Sequence, residues 1–326
     1  MKKYLLLTLV LMLALALALT ACGAPVEEDV PTDTDTDAAT DTDADAVATQ
    51  EIQVGTSNVY FTAPADYQKG EMTQEDTEEG MVAYYFSEND LMDFDLYYWA
   101  KATDETLESA IAEETEGEVA TVEFNGINFV SYNDTEDSVD GTFPTVTYIM
   151  EDGDYFVEFV FWLDGDDAEA KVNDIMNTVE LREAEDTAAE NQIRLGTSDL
   201  YITVDKAFTK GEMIREDTDL CMVAYYKSEE TLLDFDVYYW AKGTDETLES
   251  TAALEQEEFQ AEIVDREING IATKYYNAEA EESVDGTFPT LTYIIDDGDY
   301  LAEIVFWLDG DNAAEEAEAI ISTLAH

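Results

Sequence analysis

Tyr155-Phe156-Val157-Glu158-Phe159-Val160-Phe161-Trp162-Leu163 is apolar on both faces apart from Glu158. A strand of that kind lies in the middle of a sheet and is covered above and below. Asp152-Gly153, just before it, is a two-residue hairpin signal that joins it to residues 145–150. Asn125-Gly126 repeats the signal between Val122-Glu123-Phe124 and Ile127-Asn128-Phe129-Val130. Further upstream, residues 93–101 alternate. Phe94, Leu96, Tyr98 and Ala100 share one face, while Asp93, Asp95, Tyr97, Trp99 and Lys101 share the other. Residues 81–86 form an aromatic-rich strand run, and Val59-Tyr60-Phe61-Thr62 a short strand that ends at Pro64.

Two helices interrupt these strands. Thr103 is placed to cap one that carries Leu107, Ala110 and Ile111 on a single stripe. After the central strand, Asp166 and Glu169 suit a capping box, and Val172, Ile175, Met176 and Val179 recur at i, i+3, i+4, i+7. Hairpins with inserted helices predict an α+β domain built on a mainly antiparallel meander sheet.

The whole pattern occurs twice. Residues 52–109 align without gaps onto residues 193–250, with about 36 of 58 positions identical. Asp234-Phe235-Asp236-Val237-Tyr238-Tyr239-Trp240-Ala241-Lys242 restates residues 93–101, and Ala317, Ile320, Ile321 and Leu324 restate the C-terminal stripe. A three-residue insertion and then a single one separate the copies before the register resumes at Ser138 and Ser283. A period near 141 to 145 residues is the size of a domain, not of a solenoid unit. The expected organisation is a leader over 1–21, a stalk over 22–50, one repeat over 51–182, an acidic hinge over 183–191 and a second repeat over 192–326. In element order, in its Pro64-like turn, in Asn125-Gly126 and in its closing helix, each repeat resembles the Mog1/PsbP-like family. That resemblance implies an α/β/α sandwich, found in many extracellular bacterial lipoproteins. It implies an adaptor or binding module without a shared catalytic set, so no functional residue is carried over.

The N-terminus supplies an address. Lys2 and Lys3 precede an apolar run over 4–21, and Leu19-Thr20-Ala21-Cys22 closes it. A leucine, a small pair and a cysteine resemble the lipobox of bacterial lipoproteins, which implies cleavage before Cys22 and a lipid on its sulfur. Cys22 is thus the expected lipidation site, and the expected location is the extracytoplasmic side of a membrane. An uncleaved single span is the competing reading, since 18 apolar residues approach the length needed to cross. Residues 24–50 are Asp, Thr, Ala, Val, Glu, Pro and Gln without an aromatic, a composition that predicts a solvated stalk.

A net charge of −64 excludes nucleic acid as a partner, because phosphates demand Lys and Arg. It leaves the lipid on Cys22 as the route to the membrane. With Cys22 committed, Cys221 has no disulfide partner. It stands where the other copy has Gly80 and reads as a small, half-buried thiol. One histidine, His326, makes a Ser-His-Asp or Cys-His set untenable. No cofactor or metal is expected. Glu151-Asp152-Gly153-Asp154, Asp164-Gly165-Asp166-Asp167 and their copies at 296–299 and 309–312 invite a calcium reading, but turn and cap chemistry already accounts for them. Tyr97 and Trp99, with Tyr238 and Trp240, are the candidate ligand-binding residues. If no helix covers their face they stack on a sugar or cup a cation, and if one does they are core. The expected role is a non-enzymatic module that binds a small ligand, a cation or a surface protein. A structural envelope spacer is the alternative, and a carboxylate-dependent glycoside hydrolase a further one.

Overall fold

The computed structural model describes residues 48–88, 92–115, 117–138, 141–182, 189, 191–204, 208–228, 233–283, 286–310 and 312–326. In the first repeat these form β1 (Thr49–Gln53), β2 (Val59–Pro64), β3 (Gln68–Lys69), α1 (Gln74–Glu78), β4 (Met81–Phe86), β5 (Asp93–Ala100), α2 (Leu107–Glu114), β6 (Ala120–Phe124), β7 (Ile127–Ser138), β8 (Gly141–Asp152), β9 (Tyr155–Trp162), α3 (Ala168–Met176) and β10 (Glu180–Leu181). The second repeat forms β11 (Gln192–Arg194), β12 (Tyr201–Thr203), β13 (Thr209–Lys210), α4 (Arg215–Thr218), β14 (Met222–Lys227), β15 (Leu233–Ala241), α5 (Leu248–Phe259), β16 (Val264–Ile268), β17 (Ile271–Ser283), β18 (Gly286–Asp297), β19 (Tyr300–Leu308) and α6 (Ala313–Ile321).

Each repeat builds a seven-stranded antiparallel sheet in the same order, β3-β4-β5-β9-β8-β7-β6 and β13-β14-β15-β19-β18-β17-β16. The fold is mainly β, with few helices. β9, the doubly apolar strand, is central in its sheet, as its composition requires. Its side chains alternate between two clusters. Val157, Phe159 and Phe161 pack with Val172, Ile175 and Met176 of α3 and with Ile52 and Phe61 of the small β1-β2-β10 sheet. Phe156 packs with Ala110 and Ile111 of α2. At the β6–β7 turn Asn125 and Gly126 have φ of 51° and 82°, the left-handed pair that a type I′ turn needs; Asn269 and Gly270 repeat it at 52° and 90°.

Several expectations are corrected. Folded chain starts inside the predicted stalk, because Thr49 pairs with Pro64 and the Gln50 amide donates to the Tyr67 carbonyl at 2.6 Å. Thr106, not Thr103, caps α2, accepting from the Ser109 N–H. At α3 the cap is Asp167 without a capping bond, so the Asp166–Glu169 box does not form. The Asp167 carboxylate pairs instead with Lys171 at 3.1 Å. Val179 and Leu324 are buried as expected but lie just past their helices.

The two insertions are now placed. The three-residue one lengthens a helix, giving α5 12 residues against 8 in α2. The single one becomes a bulge in β17 between Ala278 and Glu281. The described residues fall in one compact unit, Val47–His326, although each repeat keeps its own core. Among the described residues no helix is long and apolar enough to cross a membrane. Lys2, Lys3, Cys22 and most of the expected stalk and hinge lie outside the described residues.

Candidate functional site

The repeats join through paired contacts that exchange equivalent residues. Thr103 donates its N–H to the Met213 carbonyl at 2.9 Å, and its hydroxyl accepts from the Met213 N–H at 2.7 Å. Thr244 and Met72 make the same two bonds, both at 2.8 Å. Ala100 sits in the second repeat's core and Ala241 in the first's. The hydroxyls of Thr56 and Thr197 meet across the junction. A covalent duplication thus reproduces the isologous logic of a two-fold dimer. Thr103, expected as a helix cap, is spent on this junction.

A cleft of about 510 Å³ opens along it. Its walls are paired: Thr56 and Thr197, Thr77 and Thr218, Gly80 and Cys221, Trp99 and Trp240, Tyr155 and Tyr300. One arm is unpaired and runs over the first repeat's sheet, lined by Tyr97, Tyr132, Glu136, Glu158 and Val160. Three of the four predicted ligand residues, Tyr97, Trp99 and Trp240, therefore line one cleft. Tyr238 is not among its lining; it lies in β15 opposite Glu303 of β19. All four rings are half-buried. Trp99 packs on Phe156 at 5.6 Å, beside α2, so the same ring serves both core and cleft.

The acidic residues on this face are not uniformly exposed. Asp95 is 5% exposed and accepts from Trp162 Nε1 at 2.7 Å; Asp236 is 6% exposed and accepts from Trp307 Nε1 at 2.7 Å. Burial pushes both carboxyls up to about 7, and the indole bond only partly counters it. Burial likewise raises Glu136, with Asp134 adding to the effect, and holds Glu303 well above the usual carboxylate range. Cys221 reaches across the junction, with Sγ 3.9 Å from the Thr77 carbonyl and 3.8 Å from that of Glu78. Burial pushes its thiol up to about 12, so it is a poor nucleophile.

The turn carboxylates have structural partners. Asp152 accepts from the Asn58 N–H at 3.0 Å, Asp154 pairs with Lys210 at 2.9 Å, Asp296 with Lys242 at 2.8 Å, and Asp297 accepts from the Tyr239 hydroxyl at 2.8 Å. Among the described residues no group of three or more His, Cys, Asp and Glu is arranged to hold a metal ion.

Some of the differences between the copies fall at the cleft. In the second repeat Trp240 Nε1 donates to Glu246 at 3.1 Å. In the first, the equivalent Glu105 is taken by Arg215 at 2.5 Å, and Trp99 Nε1 is left buried without a partner. Arg215 replaces the first copy's Gln74, Leu220 replaces Glu79, and Cys221 replaces Gly80. Leu220 is 70% exposed. Cys221 keeps the left-handed φ of its glycine counterpart, 64° against 87°. These substitutions were visible in the sequence as breaks in a well-kept repeat; that both copies of the loop would face one cleft was not.

No family model matches this chain, and no curated protein does. Three solved structures resemble it weakly. A cyanobacterial PsbP (CyanoP) from Synechocystis sp. PCC 6803 is 7% identical with a TM-score of 0.33, covering 44% of this chain and 98% of its own. A protein from Bacteroides thetaiotaomicron VPI-5482 is 11% identical with a TM-score of 0.34, covering 44% and 53%. The immunity protein TplEi of T6SS from Pseudomonas aeruginosa is 11% identical with a TM-score of 0.33, covering 85% and 95%.

Proposed function

We propose that this chain is a lipid-anchored, non-enzymatic binding module that takes a small ligand in the cleft between its repeats. Cys22 carries the anchor, the acidic stalk holds the folded part off the bilayer, and the protein faces the extracytoplasmic side. Each repeat is a Mog1/PsbP-like α/β/α sandwich, a reading supported by α2 and α3 packing against opposite faces of β9. The observation that carries the function is the cleft itself. It has the size of a small-molecule site, and aromatic rings and carboxylates converge in it. A raised thiol at Cys221 and a lone His326 favour binding over nucleophilic catalysis.

The test is a thermal-shift screen of the soluble chain against a panel of small amines, sugars and neutral alcohols. A saturable rise in melting temperature from one class, abolished by filling the cleft with Gly80→Trp, is the expected result. A panel without a single stabilising compound overturns the reading. Mass spectrometry of the exported protein checks the anchor, with a diacylglyceryl mass on Cys22 expected and an intact precursor opposing it.

A further inference from the structure

We infer that the cleft binds one organic ammonium per chain, and that the arm over the first repeat alone receives it. This rests on the binding reading above and narrows it in both stoichiometry and ligand class.

The argument for one site comes from what closes the second arm. The counterparts of Tyr132, Glu136 and Glu158 are Tyr276, Glu281 and Glu303, and none of these lines the cleft. The longer α5 carries Phe259 onto the Tyr276 ring at 5.6 Å, and its Glu255 accepts from the Tyr276 hydroxyl at 2.8 Å. The β17 bulge turns Glu281 to the Thr290 hydroxyl. Both insertions that separate the copies thus fall on one face, and together they fill it. On the first repeat the shorter α2 and the unbulged β7 leave the equivalent surface as the arm of the cleft.

The argument for a cation comes from the lining. The rings of Tyr97 and Trp99 stand beside the carboxylates of Glu136 and Glu158. Negative π faces with nearby carboxylates in a partly desolvated recess favour an ammonium carrying apolar substituents. Arg215, the one basic residue in the lining, is already held by Glu105 at 2.5 Å and Asp219 at 2.7 Å, so it does not offset that field.

The probe pair is choline and its neutral isostere 3,3-dimethylbutan-1-ol, titrated into the soluble chain by calorimetry. Salt at about 0.15 M screens the bulk negative charge. Expected are one choline per chain and binding of the neutral isostere at least tenfold weaker. Glu158→Gln is expected to weaken choline at least tenfold, whereas Glu303→Gln, in the closed arm, leaves it unchanged; melting curves confirm that both variants fold. Two cholines per chain, or equal effects of the two substitutions, overturn the one-arm claim. Equal affinity for the neutral isostere overturns the cation claim. No choline binding alongside a neutral hit in the stability screen overturns this inference and leaves the binding module standing. No binding in either experiment removes both.

Discussion

Replacing Asp95 with asparagine should stabilise the protein at pH 8 and cost it up to about 1 kcal/mol at pH 4. In the folded state burial holds this carboxyl at about 7, against an ordinary value of 3.8. The folded pKa is raised, so the protonated form is favoured on folding. Stability from this group is complete below pH 3.8, falls as pH rises, and is lost once pH passes about 7. At about 1.4 kcal/mol per unit, the span is worth roughly 4 kcal/mol between the two limits. Asparagine keeps an acceptor for the Trp162 indole N–H while removing the charge, although its second amide N–H costs about 1 kcal/mol if it finds no acceptor. The net gain expected at pH 8 is therefore about 3 kcal/mol, an increase of several degrees in Tm for a chain of this size. The assay is parallel thermal melts of parent and Asp95→Asn from pH 4 to pH 8.5. Other titrating groups cancel in the difference between the two curves. Asp236→Asn should behave alike, since Asp236 sits equally buried against Trp307, and the double variant should gain the sum. A difference independent of pH, or a variant less stable than its parent at pH 8, would refute the reasoning.

Trp99→Ala removes a ring packed on Phe156 beside α2 and should cost about 3 kcal/mol in urea unfolding; an unchanged midpoint would make the ring a surface group. Cys221, with its thiol held up to about 12, should react with a disulfide reagent at pH 8 far more slowly in the folded protein than in urea. Equal rates would contradict its place under the junction. Arg215→Gln recreates the first copy's Gln74 and releases Glu105, which should then accept from Trp99 Nε1 as Glu246 does from Trp240. The Trp99 indole proton should shift downfield in the NMR spectrum with a stability change within about 1 kcal/mol; an unmoved resonance would show that Glu105 does not swing.

Local patterns carried the sheet further than they carried the site. Tyr155–Trp162 declared its central place because a strand apolar on both sides has nowhere else to go, and Asn125-Gly126 fixed a turn because few other pairs accept two positive φ values. Caps were less legible. Thr103 and Thr106 both precede the α2 stripe, and which one caps is decided by Met213, 110 residues away, which draws Thr103 into the junction. The same cause hid the cleft. Tyr97 and Trp99 could be placed on one strand face from their spacing, yet their neighbours Thr197, Cys221 and Trp240 arrive through inter-repeat bonds that have no local periodicity. Asp95 was undecided for a different reason. Its alternation placed it on the face of Tyr97 and Trp99 without deciding whether that face is covered, and the Trp162 indole offers a bond that lets its carboxyl stay buried.

Two copies joined in one chain are released from the symmetry that binds a homodimer, and this protein uses that freedom in its cores, where Phe61, Phe124 and Phe159 correspond to Ile202, Ile268 and Ile304, as well as at the cleft. The order of the seven-stranded sheet, its Asn-Gly turns and the Thr–Met junction bonds are kept in duplicate, because each repeat must close its own sheet and its half of the interface. A helix lengthened from 8 to 12 residues and one bulge fill the second arm without disturbing a single strand order. Arg215 then takes Glu105, and the Trp99 N–H is left buried in the cleft wall without the partner that Trp240 has in Glu246. The two insertions and the exchange at Arg215 leave the two sides of the cleft unequal, as a single ligand site requires and two equivalent sites would not.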